Sequence, residues 1–254
     1  MNFATYPSLA GRTVFVSGGA TGIGAAIVRA FALNHAKVAF VDLEAEAGKA
    51  LAAEIAGMGE TALFVRCDVT AIKALQETIA EAGARLGPVA VLVNNAANDE
   101  RHRVSEVTPD YWDHAQNVNL RHHFFAAQAA HPQMRALGFG SIVNLSSISW
   151  RAGAAEMPAY STAKAGIVGL TRALARAFGD DNIRVNAIEP GAVMTERQRR
   201  LWYKTPEAAE AIVKRQLIKT MLFGEDVARM ALFLGADDSR MITKQSIAVD
   251  AGLR

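Results

Sequence analysis

Cysteine is almost missing from this 254-residue chain: Cys67 is the only one. A lone cysteine excludes an internal disulfide and any metal cluster built on thiolates. It follows the apolar run Ala62-Leu63-Phe64-Val65 and reads as a small core side chain. Histidine is scarce too, six in all, and none shows the H-x-x-x-H or H-E-x-x-H spacing of a metal-binding helix, so no metal is expected. His122 and His123 are adjacent, which on a helix predicts different faces. Neither sign of charge dominates: 27 Lys and Arg stand against 25 Asp and Glu, a net +2 spread along the chain. That balance argues against nucleic acid or a membrane surface as partner. No run approaches the ~18 apolar residues of a membrane span. The segment from Met1 to Pro7 has neither a charged n-region nor an apolar h-region, so a cytoplasmic protein is expected. Repeats, low-complexity tracts and linkers are likewise lacking.

What is plentiful is the short apolar run. With 51% hydrophobic and 20% charged residues, the composition is that of an ordinary globular protein, long enough for one domain with a large core. Strands are predicted at residues 13–17, 37–41, 61–66, 89–93, 141–145, 183–188 and 246–249. Helical patterns fill 25–34, 44–56, 71–86, 109–137, 160–178 and 226–234. Thr108 is the expected N-cap of the long 109–137 helix, with Pro109 at its first position. The strands read as continuous apolar runs, which predicts strands buried on both faces. The fold expected is therefore α/β: a single-domain, Rossmann-type, doubly wound parallel sheet of seven strands with helices on both faces, spanning residues 1–254. Residues 192–223 are polar, aromatic and irregular, and are expected to form a substrate lid.

Chemistry collects where these strands end. Gly18, Gly22 and Gly24 form the turn after strand one, where missing side chains let the backbone approach a phosphate at a helix N-terminus. Asp42 closes strand two and is placed to accept hydrogen bonds from ribose hydroxyls while repelling a 2′-phosphate; Leu43 and Glu44 follow it, and Gly19 occupies a turn position open to a basic residue. This favours NAD over NADP. Asp68-Val69 closes strand three and can set a carboxylate against adenine. Asn94-Asn95-Ala96-Ala97 closes strand four, where backbone and amide groups could hold the middle of the cofactor. Ser146-Ser147 closes strand five. Tyr160 and Lys164 stand at i and i+4 of a helix and so share one face. An ammonium there lowers the phenol pKa and makes Tyr160 a general acid or base. A hydroxyl such as Ser147 beside it orients a substrate oxygen. Asn119 is a buried helical amide.

Together these residues resemble the short-chain dehydrogenase/reductase family. The matching motifs are Ser17 to Gly24, Asp42, Asp68-Val69, Asn94 to Ala96, Asn119, Ser147, Tyr160-x-x-x-Lys164 and Pro190-Gly191. The resemblance implies that Tyr160 is the acid/base and that Lys164 lowers its pKa and holds the nicotinamide ribose. It further implies that Ser147 positions the substrate and that Asn119 links Lys164 to solvent through water. Cofactor contacts are implied for Ser17, Gly18, Gly22, Ile23, Gly24, Asp42, Asp68, Val69, Asn95, Ala96, Tyr160, Lys164, Pro190, Gly191, Val193 and Thr195. A homotetramer is implied as well.

A finer resemblance is to the NAD-dependent sugar 1-dehydrogenases of that family. It is carried by Asn98 to His102, Tyr111 to Asp113, Asn119 to His122, Ser147 to Trp150, Arg197-Gln198, Trp202-Tyr203 and the end from Val249 to Arg254. It implies that Asn98, Ser147, Ser149, Trp150, Tyr160, Arg197, Gln198 and Trp202 bind substrate, polar groups holding the hydroxyls and tryptophans offering flat apolar surface. The expected reaction oxidises C1 of an aldopyranose such as D-xylose, L-arabinose or L-fucose. The alternative is a 2-keto-3-deoxy sugar acid, drawn to Arg151, Arg197, Arg199 and Arg200. A cofactor-binding module without catalysis is disfavoured by the intact Ser147, Tyr160 and Lys164, and an NADPH-dependent ketoacyl reductase by Asp42. Two residues depart from the family pattern: Ala97 and Lys244 stand where glycine is usual. Ala97 predicts crowding or a forbidden positive φ, and Lys244 a changed turn.

Overall fold

The computed structural model describes residues 3–253, so Met1, Asn2 and the terminal Arg254 of the resemblance lie outside it. Strands and helices alternate from the start: β1 (Thr13–Ser17), α1 (Gly22–Ala32), β2 (Lys37–Asp42), α2 (Ala45–Gly57), β3 (Ala62–Arg66), α3 (Ile72–Leu86) and β4 (Val89–Asn94). There follow α4 (Pro109–Gln116), α5 (His122–Leu137), β5 (Gly140–Leu145), α6 (Ser149–Ala152), α7 (Pro158–Ala177) and β6 (Ile183–Pro190). The chain closes with α8 (Glu196–Leu201), α9 (Pro206–Arg215), α10 (Gly224–Gly235) and β7 (Ser246–Val249). All seven strands are parallel, in the order β3-β2-β1-β4-β5-β6-β7.

Continuous apolar strands are what this sheet needs, because both faces are covered. On one face Val14, Val16, Val38, Phe40, Val91 and Val93 pack against Ile27 and Phe31 of α1, Ile55 of α2 and Leu232 of α10. On the other, Phe15, Ala39, Val41 and Leu92 pack against Leu75 and Ile79 of α3, Met134 of α5 and Leu174 of α7. Successive strand residues thus serve alternate cores, as the two-residue period dictates. Phe15, Phe31 and Phe40 are among the largest fully buried side chains. Each removes apolar surface from water to the value of roughly 2–3 kcal/mol.

The chain begins in the middle of the sheet, runs outward to β3, and returns to place β4 on the other side of β1. That reversal opens a crevice at the carboxyl ends of β1 and β4. All strands being parallel, their carboxyl ends share one edge.

Two expected elements differ. The long helix starts as predicted, with the Thr108 hydroxyl accepting from Tyr111 N at 3.2 Å and Pro109 at its first position. Yet π-turns interrupt it at Asn117–Arg121, between α4 and α5. Residues 192–223, expected to be irregular, contain α8 and α9. Their polar composition hid two capped starts: Thr195 accepts from Gln198 N at 3.2 Å, and Thr205 accepts from Ala208 N at 3.3 Å with Pro206 following.

The two departures from glycine resolve differently. Ala97 is exposed and is not among the residues with positive φ, so its methyl forbids no conformation that the chain adopts there. Lys244 does adopt the left-handed region, with φ +64, while its N–H bonds Val185 O at 2.8 Å. The turn before β7 is therefore kept at the expense of backbone strain. A side chain in that region costs about 1–2 kcal/mol, part of which glycine returns through unfolded-state entropy. Lys244→Gly is expected to stabilise the fold by up to about 1 kcal/mol and to raise Tm by roughly 2–4 °C. A fall in Tm by calorimetry would contradict this reading of the turn.

Candidate active site

The crevice is held shut at its base by reciprocal hydrogen bonds. Ser17, completely buried at the end of β1, accepts from the N–H groups of Asn95 at 3.0 Å and Ala96 at 3.2 Å. Asn95 answers with its side-chain amide, donating to Ser17 O at 3.2 Å and Gly18 O at 2.7 Å. Ser17 and Asn95 therefore brace the cleft. The glycine turn above them needs its glycines. Gly18 and Gly22 have φ +65 and +55, and a Cβ on Gly24 would lie 1.8 Å from Gly18 O. Thr21, the N-cap of α1, makes no side-chain cap bond. The first N–H groups of the helix are thus not capped by Thr21, in a cradle without side chains, which suits the pyrophosphate of a dinucleotide.

Asp42 joins this cradle. Its carboxylate accepts from Ala20 N at 2.9 Å and Glu44 N at 3.2 Å, which fixes it beside the turn. Gly19, by contrast, faces inward: a Cβ there would meet Phe40 Cβ at 2.7 Å, so the position is closed to a basic side chain for reasons of packing. Asp68 is exposed and takes both the N–H and the hydroxyl of Thr70, while Val69 is buried beneath it. Pro190 ends β6 beside β7 and Gly191 follows it, with Gly191 N bonded to Val249 O at 2.9 Å. Val193 is buried, Ile23 half-buried, and Thr195 lies within 3.2 Å of where a Gly22 Cβ would sit.

Tyr160 and Lys164 share the first turns of α7, and Ser146 pins that helix to the end of β5 by donating to Lys164 O at 2.7 Å. Lys164 is 1% exposed and its Nζ donates to Leu145 O at 2.7 Å. Burial pulls it down to about 7, against the opposing pull of Asp99. The phenol of Tyr160 moves the other way from expectation. Burial pushes it above its ordinary value, Asp99 pushes it further, and the hydrogen bond with Ser147 only partly offsets them. The ammonium lies 5.4 Å from the ring centroid and is spent on a carbonyl, so in the chain alone it does not hold the phenolate. Ser147 in turn accepts from Ser149 N at 3.1 Å.

Asn119 sits in the π-turns, 1% exposed. Its Nδ2 donates to Ala115 O at 2.9 Å, and its Oδ1 accepts from Asn98 N at 2.8 Å. The same π-turns lead into the histidine pair. The two rings point at different partners, His122 at Ala96 O and His123 at Asn144 Oδ1, but both directions lead inward and both residues are fully buried.

Of the residues expected to hold substrate, several are tied to one another. Arg197 bonds Asn98 Oδ1 at 2.8 Å and Asp99 Oδ1 at 3.3 Å, and Gln198 bonds Asp99 Oδ2. Thus α8 is latched to the loop after β4. Arg101 stacks 4.3 Å from the Trp202 ring and Arg151 4.3 Å from the Trp150 ring. Arg151 also grips Glu189, a carboxylate with no exposed surface, at 2.6 and 3.1 Å. Arg151 and Arg197 are thus already matched by carboxylates, so two of the four arginines expected to attract a sugar acid are neutralised, while Arg199 and Arg200 are exposed. The buried atoms Arg101 Nε, His102 Nε2, Ser149 Oγ, Trp150 Nε1 and Trp202 Nε1 have no partner within the chain.

Asp99 entered the sequence reading only as a member of the Asn98 to His102 stretch, with no role of its own, and Glu189 precedes Pro190-Gly191 with no local sign of its partner. Gln216, fully buried with both amide atoms unpartnered, had no signal at all. Among the described residues there is no group of three or more potential metal ligands, and no helix is long and apolar enough to cross a membrane.

A family model described as Enoyl-(Acyl carrier protein) reductase matches residues 18–254. The chain is 49% identical over 249 residues to a probable galactose dehydrogenase of Rhizobium meliloti, covering 98% of this chain and 97% of that protein. It is 46% identical over 254 residues to a D-xylose 1-dehydrogenase of Caulobacter vibrioides, covering 100% of both. A crystal structure of a blue fluorescent protein from a metagenomic library, in complex with NADPH, superposes with a TM-score of 0.88 at 35% identity, over 97% of this chain and 99% of that one.

The buried histidines carry a pH dependence. Burial, aided by Lys164, lowers His122 from 6.5 to about 3, and His123 moves in the same direction. Between those values the unfolded chain binds the proton and the folded chain does not. Stability is therefore present above about 6.5 and is lost as pH falls toward 3, at about 1.4 kcal/mol per pH unit per group. Relative to its own value at pH 7, His122→Gln is expected to lose about 2 kcal/mol less than the parent at pH 5. Denaturant melts at the two pH values check this, and equal acid sensitivity of the two proteins would refute it.

Proposed function

Because the chain belongs to the short-chain dehydrogenase/reductase family of oxidoreductases, we propose that it is an NAD-dependent sugar dehydrogenase that oxidises the C1 hydroxyl of an aldopyranose to its lactone. The observation that carries the substrate class is the set of unpartnered buried groups on the segments rimming the site: Arg101 Nε, His102 Nε2, Ser149 Oγ, Trp150 Nε1 and Trp202 Nε1. Leaving one such group unsatisfied costs about 1–3 kcal/mol. A polyhydroxylated ring supplies partners for several at once, and the two indoles supply apolar faces for its C–H surface. The full-length likeness to a galactose and a D-xylose dehydrogenase supports the same class.

Tyr160 is the base in this reading. It takes the proton of the C1 hydroxyl, which Ser147 orients, while C1 gives up its hydrogen with two electrons and becomes the lactone carbonyl. The nicotinamide supplies the hydride acceptor. Lys164 supplies positive charge beside the phenol and a donor for the nicotinamide ribose, and Asn119 leads from Lys164 toward solvent. Gly18, Gly22, Ile23 and Gly24 cradle the pyrophosphate; Asp42 takes the ribose hydroxyls, which favours NAD although a structural relative holds NADPH. Asp68, Ala96, Pro190, Gly191, Val193 and Thr195 complete the cofactor wall, and residues 192–223 serve as the lid. The assembly in this reading is a homotetramer, supported by the 42% exposed Phe124, which with Leu174, Ala177 and Phe178 lines an apolar hollow beside α5 and α7.

NADH formation across a dozen aldoses is the direct test, with kcat/KM for NAD expected at least about tenfold above that for NADP. Oxidation is expected to speed up as pH rises above neutral, because burial and Asp99 hold the phenol protonated at lower pH. Tyr160→Phe is expected to keep cofactor binding by fluorescence titration and to lose turnover by about 10³-fold or more. Rapid oxidation of sugar acids beside inert neutral sugars would overturn the substrate class. Light scattering tests the assembly: Phe124→Asp is expected to yield a smaller species than the parent.

A further inference from the structure

Asp99 is the carboxylate whose charge reaches both Tyr160 and Lys164. Its side chain is 23% exposed and its position is determined from two sides. On the chain, the preceding residue, Asn98, donates its N–H to Asn119 Oδ1 at 2.8 Å. Across space, Arg197 Nε lies 3.3 Å from Oδ1 and Gln198 Nε2 binds Oδ2. Each oxygen therefore has one protein donor. An ionised carboxylate offers about four acceptor sites, so roughly two remain.

The rim otherwise offers mainly donors. The unpartnered indole N–H groups of Trp150 and Trp202 and the Arg101 Nε–H only donate. A sugar hydroxyl both donates and accepts. Donor groups satisfy its oxygen and leave its hydrogen without a partner in a site where an unmade bond is costly.

We propose that Asp99 is the specificity-determining acceptor of the site: it takes hydrogen bonds from neighbouring hydroxyls of a neutral sugar and repels anionic substrates. This rests on the sugar dehydrogenase reading and deepens it. The charged groups facing Asp99 and the phenol are Arg197 from α8 and Lys164 from α7; His122 from α5, beyond Lys164, is titratable but held neutral by burial. Arg197, 48% exposed, is paired with Asp99 at the mouth, so removing the carboxylate leaves a cation there that welcomes the opposite kind of ligand.

The test compares the parent protein with Asp99→Asn and Arg197→Met. It measures kcat and KM for a neutral aldose, NAD affinity by fluorescence titration, and inhibition by the matching aldonate. Asp99→Asn is expected to raise KM for the aldose about tenfold, to leave NAD affinity within about twofold, and to tighten aldonate inhibition about tenfold. Arg197→Met, which keeps the carboxylate and removes its counter-charge, is expected to weaken aldonate inhibition. If Asp99 only latched α8 to its loop, the two variants would move aldonate inhibition in the same direction, and that result overturns the proposal. So does an Asp99→Asn protein with unchanged KM on a sugar that the parent oxidises. A parent protein that oxidises no neutral aldose overturns the function reading along with it.

Discussion

The bonds between the ends of β1 and β4 carry the rest of the site. Ser17 receives two N–H groups from the start of the loop after β4, and Asn95 returns its amide to the carbonyls of Ser17 and Gly18. The two strands on either side of the crevice thereby end as one piece. From there a path of hydrogen bonds leads outward: His122 to Ala96 O, Asn98 N to Asn119, and Asp99 to Gln198 and Arg197 on α8. The glycine cradle, the amide in the π-turns and α8 are all referred to the same fixed point. A parallel sheet makes this arrangement available, because every strand delivers its last residue to one edge.

Charge inside this structure is sparingly placed and closely matched. Glu189 is completely buried, and its cost is met by the Arg151 guanidinium from α6 and by the Ser246 hydroxyl from β7. That contact also stitches the segment after Ser147 to β6 and β7. Lys164 is buried without a carboxylate in contact and is pulled toward neutrality, and the histidine pair beside it is held neutral. Tyr160 and Lys164 thus sit where burial outweighs solvation and where the charge of Asp99 reaches both. In such a place a single charge added or removed has large effects, since screening is weak.

Much of the fold was legible because it is written locally. Each strand is a continuous apolar run closed by glycine, asparagine, aspartate or serine, and each long helix shows its period. Thr108 and Pro109 announced the start of α4 correctly. The reading failed where composition misled: residues 192–223 looked irregular because α8 and α9 are short and polar, and neither has a fully buried side chain. The π-turns at Asn117–Arg121 were invisible for a related reason, since they answer to the packing of Asn119 and the two histidines against the sheet edge. At Ala97 the backbone does not take a positive φ, and at Lys244 it does, because φ at a single residue depends on the turn that its neighbours impose.

Sequence alone determined which segments become strands, the glycines without which the first turn cannot close, and the spacing that sets Tyr160 and Lys164 on one helical face. These follow from backbone conformation and short-range periodicity, which a few consecutive residues specify. Tertiary structure decided the charges and their company: that Arg151 belongs to Glu189 and Arg197 to Asp99, that adjacent histidines are both interior, and that the phenol is raised and not lowered. Those outcomes turn on burial and on distances of a few ångströms between residues far apart in the chain, and no local pattern encodes either.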